Sequence, residues 1–422
     1  MLTLIVAAAV IAVPAAILRV ACFGAACGDD ERAQASDVPF CSLPPSLRRD
    51  VAAGYREGRS PEVLAAAREE VIAPGDAGLW PGEAVATDVP LYFAGAGVGA
   101  GPVPSGTTLD AVAPTIAEII GLERPHPEVR SGRVIEGVAT GETPRLVVLI
   151  VAKGVGSEGF EPGMLGPAFA SGTGTVAATT GSQPLDPAAV LATIGTGGLP
   201  RQHGITGELI RNDEGRLVTA WGRDAPVSVI ASLADDLDES TEQRAKVGAA
   251  LGAPSDRGVV GGNWYVGGDK DDITIARRAA KPDLSALVRG GYGRDDVTDL
   301  FAVVLEGDPP DISATVRDVA GTADRLAGGS YALVFTATGA RPSSGEGPRA
   351  GSIARRVETE LGADVVEGVA AGGLFLDADV QTEEKISEDN VMTAMRDLRS
   401  ADGDTLFADV FPALAVSFAR YC

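Results

Sequence analysis

Residues 146–152 read Leu146-Val147-Val148-Leu149-Ile150-Val151-Ala152, an unbroken apolar run. A strand with one face in water alternates apolar and polar residues. A run this short and continuous belongs to a strand buried on both faces, as in a parallel sheet covered by helices. Residues 300–305 (LFAVVL) and 331–336 (YALVFT) repeat the pattern, and 227–231 is a shorter run of the same kind. Between two of these runs, residues 312–327 have helical spacing. Strand, helix, strand at these lengths predicts right-handed crossovers and an α/β fold, a mostly parallel sheet with helices on both faces.

The pattern extends outward in both directions. Upstream, Leu47, Val51 and Tyr55 recur every four residues, so 45–58 reads as a helix. Residues 88–93 (DVPLYF) read as a strand, 110–121 as an amphipathic helix closed by Gly121, and 188–195 as a further helix. Downstream, a helix over 387–398 begins at Ser387, whose hydroxyl suits an N-cap ahead of Glu388 and Asp389. A last helix is expected over 406–419. The expected organisation is a signal peptide or membrane anchor over 1–35 and a block over 36–140. A core over 141–345 follows, with a C-terminal extension over 346–422 packing on the same domain.

Composition narrows the function. Of 422 residues, 45% are hydrophobic and 22% charged, which is globular and excludes wholesale disorder. Asp and Glu number 58 against 35 Lys and Arg, a net charge of −23 that repels phosphate backbones and disfavours nucleic acid as a partner. Two histidines in the whole chain exclude a histidine-rich metal centre. Residues 235–239 (DDLDE) and 269–272 (DKDD) read as solvated surface runs, the second lacking the Gly and distal Glu of a calcium loop. The Trp264-Tyr265 pair reads as core packing, and Gly154 to Gly159 as a plain turn.

Residues 1–18 carry no charge, and Ala33-Gln34-Ala35 before Ser36 fits a small-x-small cleavage rule. The segment therefore predicts an extracytoplasmic protein, secreted or touching the membrane only through this N-terminal stretch. Cys22 and Cys27 fall inside it, which leaves Cys41 and Cys422 to bridge in an oxidising compartment. Two free thiols, or pairing of Cys41 with Cys22 or Cys27 in an uncleaved chain, are the alternatives.

Residues 186–207 read DPAAVLATIGTGGLPRQHGITG, a helix running into a turn through Thr196-Gly197, Pro200 and His203-Gly204-Ile205. Together with the 146–152 strand and its glycine loop, and the strands at 301–308 and 332–339, this resembles the alkaline phosphatase superfamily, nucleotide pyrophosphatases/phosphodiesterases included. Residues 89–98 and 113–122 resemble a strand and helix from the far end of that family's chain, here placed first. The order is similar to a circular permutation.

The resemblance implies a centre of two metal ions, usually zinc, held by carboxylates and three histidines beside a Ser or Thr nucleophile. Such a pair, ~4 Å apart, clamps the oxygens of a phosphoryl group. The matching positions here differ. Lys153 stands where the first aspartate ligand is expected, Asp186 falls near the nucleophile, and Ala337-Thr338 replaces an Asp-His pair; Asp308 is a family-like ligand. His203 belongs to the turn and His126 to a proline-flanked loop. The expectation is an exported pseudoenzyme with no intact catalytic residue and no cofactor. Lys153, Asp186, Asp308 and Thr338 would converge in one degenerate cleft, Lys153 bridging to Asp308 or Asp186 and favouring a small anionic ligand. The alternative is an active phosphodiesterase or phosphatase-type hydrolase whose Asp186 and Asp308 hold Mg²⁺ or Mn²⁺.

Overall fold

Around the 146–152 strand the computed structural model builds one large sheet. It describes residues 39–73, 78–262, 264–265, 271–276, 281–339, 347–419 and 422. The expected export segment with Cys22 and Cys27 lies outside these residues, as do Asn263, Asp269 and Lys270. The strands in chain order are β1 (Val63–Ala67), β2 (Asp88–Gly95), β3 (Leu146–Ala152), β4 (Thr173–Thr179), β5 (Leu209–Arg211), β6 (Leu217–Thr219) and β7 (Val247–Leu251). There follow β8 (Asp272–Ile275), β9 (Asp299–Leu305), β10 (Tyr331–Ala337), β11 (Val366–Ala370), β12 (Gly373–Leu376) and β13 (Phe407–Pro412).

The large sheet has the order β4-β2-β10-β3-β9-β7-β8. β3 sits at its centre with every residue buried, which is why its sequence never alternates. It runs parallel to β10, with Tyr331 opposite Leu146, and parallel to β9, with Asp299 opposite Leu146. β7 and β8 continue the parallel array. β2 joins it as expected, antiparallel to β10 with Leu91 opposite Thr336, although it precedes β3 in the chain. The Pro309–Ala327 helix connects β9 to β10 and buries Ile312, Val316, Val319 and Ala323 on the sheet. The fold class is the one the sequence predicts.

A second sheet, β11-β12-β1-β13, is antiparallel throughout. Its β1 comes from the front of the chain and its other strands from the tail, so 346–422 shares a core with residues near 63–80. Val63, Trp80, Ile353, Val357, Leu374, Val391, Met395 and Phe407 pack together there. The Glu388–Arg396 helix begins as predicted, with Ser387 Oγ accepting from the Asn390 amide. Cys41 and Cys422 form a disulfide across 381 residues of sequence. Beside it Phe40 packs on Phe411 of β13, ring centroids 5.0 Å apart.

Two expected elements are corrected. Residues 227–231 form no strand, and Val227 is 51% exposed. Pro226 precedes the run, and the sheet position beside β9 goes to β7, whose small residues suit a crowded site. At Gly248 a Cβ would lie 2.3 Å from the Tyr292 hydroxyl, so only glycine fits under that ring. Residues 406–419 are not one helix. β-prone Phe407, Val410 and Phe411 pair with β1, and Pro412 then starts the short Ala413–Ser417 helix. Among the described residues no helix is long and apolar enough to cross a membrane.

Candidate functional site

In an open parallel sheet the loops after the strands converge at their C-terminal ends, where side chains from several strands can meet. Lys153 follows β3 directly. Its amide donates to Leu305 O at 2.7 Å, carrying the ladder one residue past the strands. Its Nζ lies 2.8 Å from Asp256 Oδ1 and 3.2 Å from Glu306 Oε1. Asp256 sits in the 3-10 turn Pro254–Val259 after β7, and its Oδ2 accepts the Gly252 and Ala253 amides at 3.1 and 2.8 Å. Glu306 is the first residue past β9 and half exposed. Burial pulls the ammonium downward, but Asp256 and then Glu306 outweigh it and hold Lys153 above the usual lysine range.

Thr338 meets this loop. Its Oγ1 accepts the Gly154 amide at 2.8 Å, and its own amide donates to Ala152 O. Gly154 takes φ +67° there, a conformation glycine adopts without cost. The structure thus brings Lys153 and Thr338 together through the β3 turn.

The ion pairs of Lys153 go to Asp256 and Glu306 rather than to the other two candidates, although its charge still reaches Asp186. Asp186 caps the Pro187–Thr196 helix, its Oδ1 accepting from the Ala188 amide at 2.9 Å and its Oδ2 from the Glu208 amide at 3.1 Å. Burial pushes its carboxyl up to about 6, against the pull of those amides and of Lys153. Asp308 occupies the N-cap position of the Pro309–Ala327 helix. The expected bridge from Lys153 to Asp308 or Asp186 is therefore corrected to Asp256 and Glu306. The reason is geometric: Asp186 is committed to helix capping, and Glu306 lies two residues nearer the strand end than Asp308.

Asp256 escaped notice because it follows a strand that the 227–231 reading displaced. Glu306 had a signal, since it directly follows the apolar run 300–305. Between the ends of β7 and β9 the cleft beside Glu306 has a volume of only about 30 Å³. That holds a water or two, whereas small-molecule pockets run to roughly 300–1,000 Å³.

His203 is fully buried in the turn after the Pro187–Thr196 helix. Its Nδ1 accepts the Ile205 amide and its Nε2 faces Thr193 Oγ1, both at 3.1 Å. Burial, with Arg56 nearby, depresses it to about 3, so it is a neutral packing group. His126 is exposed beside Glu128. Among the described residues no group of three or more His, Cys, Asp or Glu is arranged to hold a metal ion.

The acidic run at 235–239 is not simply a solvated face. Asp236 is buried between Arg124 Nε at 2.7 Å and Arg130 Nη2 at 3.2 Å, and Tyr265 Oη donates to its other oxygen at 2.7 Å. Both arginines also donate to Thr196 O, the end of the helix that Asp186 starts. Burial lowers Arg124 to about 10, with Asp236 opposing. Trp264 and Tyr265 are not core residues as expected, being 38% and 41% exposed, and only the Tyr265 hydroxyl reaches inward.

No family model and no curated protein matches this chain in sequence. Among solved structures, wild-type alkaline phosphatase PafA is similar at 13% identity and a TM-score of 0.41, covering 61% of this chain and 76% of that one. A quadruple mutant of PafA is similar at 14% identity and a TM-score of 0.35, covering 59% and 75%.

Proposed function

We propose that this protein is an exported, catalytically inactive relative of the alkaline phosphatase superfamily whose strand-end centre is closed by its own ammonium. The observation that carries the reading is Lys153 Nζ, seated between Asp256 and Glu306. It lies where the resemblance expects the first metal-binding aspartate. An ammonium satisfies carboxylates, but it offers no Lewis acidity to a phosphoryl oxygen or a water. Asp186 supports the same reading, since both its oxygens accept backbone amides and none is an attacking hydroxyl.

These residues do not fit a two-cation centre, and no hydrolytic step is drawn through one. One ammonium against two carboxylates also leaves the centre negative, so no anionic ligand is proposed there. The motif of 186–207 persists for packing reasons, His203 locking the turn and Asp186 starting the helix. The seating of β2 beside β10 supports a permuted order of family elements. The Cys41–Cys422 bridge, with the apolar 1–18 segment, supports export.

Metal analysis of the purified protein, with turnover of nitrophenyl phosphate and bis(nitrophenyl) phosphate under Mg²⁺, Mn²⁺ or Zn²⁺, tests the reading. The expected result is neither bound metal nor turnover. Stoichiometric metal with turnover would overturn it in favour of a carboxylate-metal hydrolase. A Lys153→Asp variant should gain thermal stability from Mn²⁺ while Lys153→Met gains none. Equal responses would mean that Lys153 does not stand in a cation's place.

A further inference from the structure

An open concavity of about 520 Å³ lies along the Pro45–Gly54 helix, between it and the turn at Leu199–Arg201, with Gly181, Ala419 and Cys422 completing the wall. Arg48, Arg49 and Arg201 line it, and Asp50 is the one carboxylate side chain among the lining residues. None of the three guanidiniums has an ion pair or side-chain hydrogen bond among the described residues. Several other arginines among the described residues are ion-paired. Arg59 pairs with Asp213, Arg211 with Glu62 and Glu367, and Arg257 with Asp271. In a chain with 58 acidic residues, three guanidiniums without an ion pair share one hollow, and the only side-chain charge of opposite sign acting on any of them there is Asp50 beside Arg49.

The surroundings favour the same sign of ligand. No side chain caps the Pro45–Gly54 helix, so its positive end adds to the field. The Arg56 Nη1 donates to Arg201 O at 2.8 Å and holds the backbone of that turn in place. Guanidinium forks match the spacing of phosphate oxygens, and the volume lies within the range of small-molecule pockets, ~300–1,000 Å³.

We propose that this concavity binds a phosphate-bearing anion through Arg48, Arg49 and Arg201. The site shares no residue with the Lys153 cluster, and it stands whether or not the chain is catalytically inert. Calorimetric titration of the full chain with inorganic pyrophosphate at low ionic strength tests it. Co-sedimentation with vesicles of phosphatidylcholine, alone or with phosphatidylglycerol, runs in parallel.

The expected result is saturable one-site binding of pyrophosphate, weakened about tenfold or more in the Arg48→Gln/Arg49→Gln and Arg201→Gln variants. Added NaCl should weaken it, and Lys153→Met should leave it unchanged. Melting curves check that the arginine variants remain folded. If pyrophosphate fails to saturate but the arginine variants lose binding to phosphatidylglycerol vesicles, the phosphate belongs to a lipid headgroup and the site stands. If neither probe separates wild type from the arginine variants, the proposal is overturned.

Discussion

Two charged clusters in this molecule are mirror images of each other. At the strand ends one cation, Lys153, lies between two carboxylates; beneath the Tyr265 loop one carboxylate, Asp236, lies between two arginines. They differ in access to water. Asp236 and both its partners are almost wholly buried, whereas Glu306 in the Lys153 cluster is 51% exposed. A buried ion must be neutralised where it sits, but a half-exposed one can turn to solvent. The Asp236 cluster is accordingly a clamp that fastens the loop carrying Arg124 and Arg130 to the end of the Pro187–Thr196 helix. The Lys153 cluster is a plug at the C-terminal ends of β3 and β9, one of whose carboxylates stands in water.

The sharpest way to break the comparison is Asp236→Ala. It would strand two buried guanidiniums, and a loss of roughly 3–5 kcal/mol is expected in denaturant unfolding. A loss below that of the Lys153 variant would reverse the ranking. Lys153→Met comes next, at roughly 2–3 kcal/mol, because Asp256 keeps two backbone amides and Glu306 can rehydrate.

Acid titration sharpens the contrast through two groups of the 186–207 segment. His203, depressed from 6.5 to about 3, contributes stability that is complete above pH 6.5 and is lost as the pH falls toward 3. Asp186, raised from 3.8 to about 6, contributes stability that is complete below pH 3.8 and is lost as the pH rises through 6. Between pH 4 and 6 the two slopes oppose. An Asp186→Asn variant, which keeps the helix cap, should therefore lose about 2 kcal/mol more than wild type on going from pH 6 to pH 4. Parallel curves for the two proteins would show that Asp186 is ionised normally. The smallest effect is expected from Glu306→Gln, under about 1 kcal/mol, since its charge faces water. A larger loss would make the plug as rigid as the clamp.

Much of the fold was legible before any coordinates. β3, β9 and β10 show as apolar runs, because burial on both faces writes itself directly into the residues of each strand. The Ser387 cap shows for a similar local reason, a hydroxyl three residues ahead of the amide it accepts. The 227–231 run misled because its valines look like a strand locally, while only the space beneath Tyr292 and Phe301 selects small-residue β7 for the sheet. At the candidate site, the sequence placed Lys153 and Thr338 at strand ends, and the structure joins them through the Gly154 turn. The true partners of Lys153 could not be read in this way, because Asp256 is 103 residues away and arrives through a strand order that local sequence does not encode.

The sequence by itself determined the α/β class and the parallel core, while the joining of the Val89 strand to it was implied only by the family resemblance. It also pointed to the Cys41–Cys422 pair and to a chain short of histidine ligands. These follow from periodicity and composition, which act over a few residues or over the whole chain. Tertiary structure alone decided that β1 would pair with β12 and β13, that Asp236 would be buried between arginines, and that Arg48, Arg49 and Arg201 would share one hollow. Charges carry no local mark of their partners. An aspartate in an acidic run has the same neighbours in sequence whether it faces water or a buried guanidinium, and only packing of distant segments distinguishes the two.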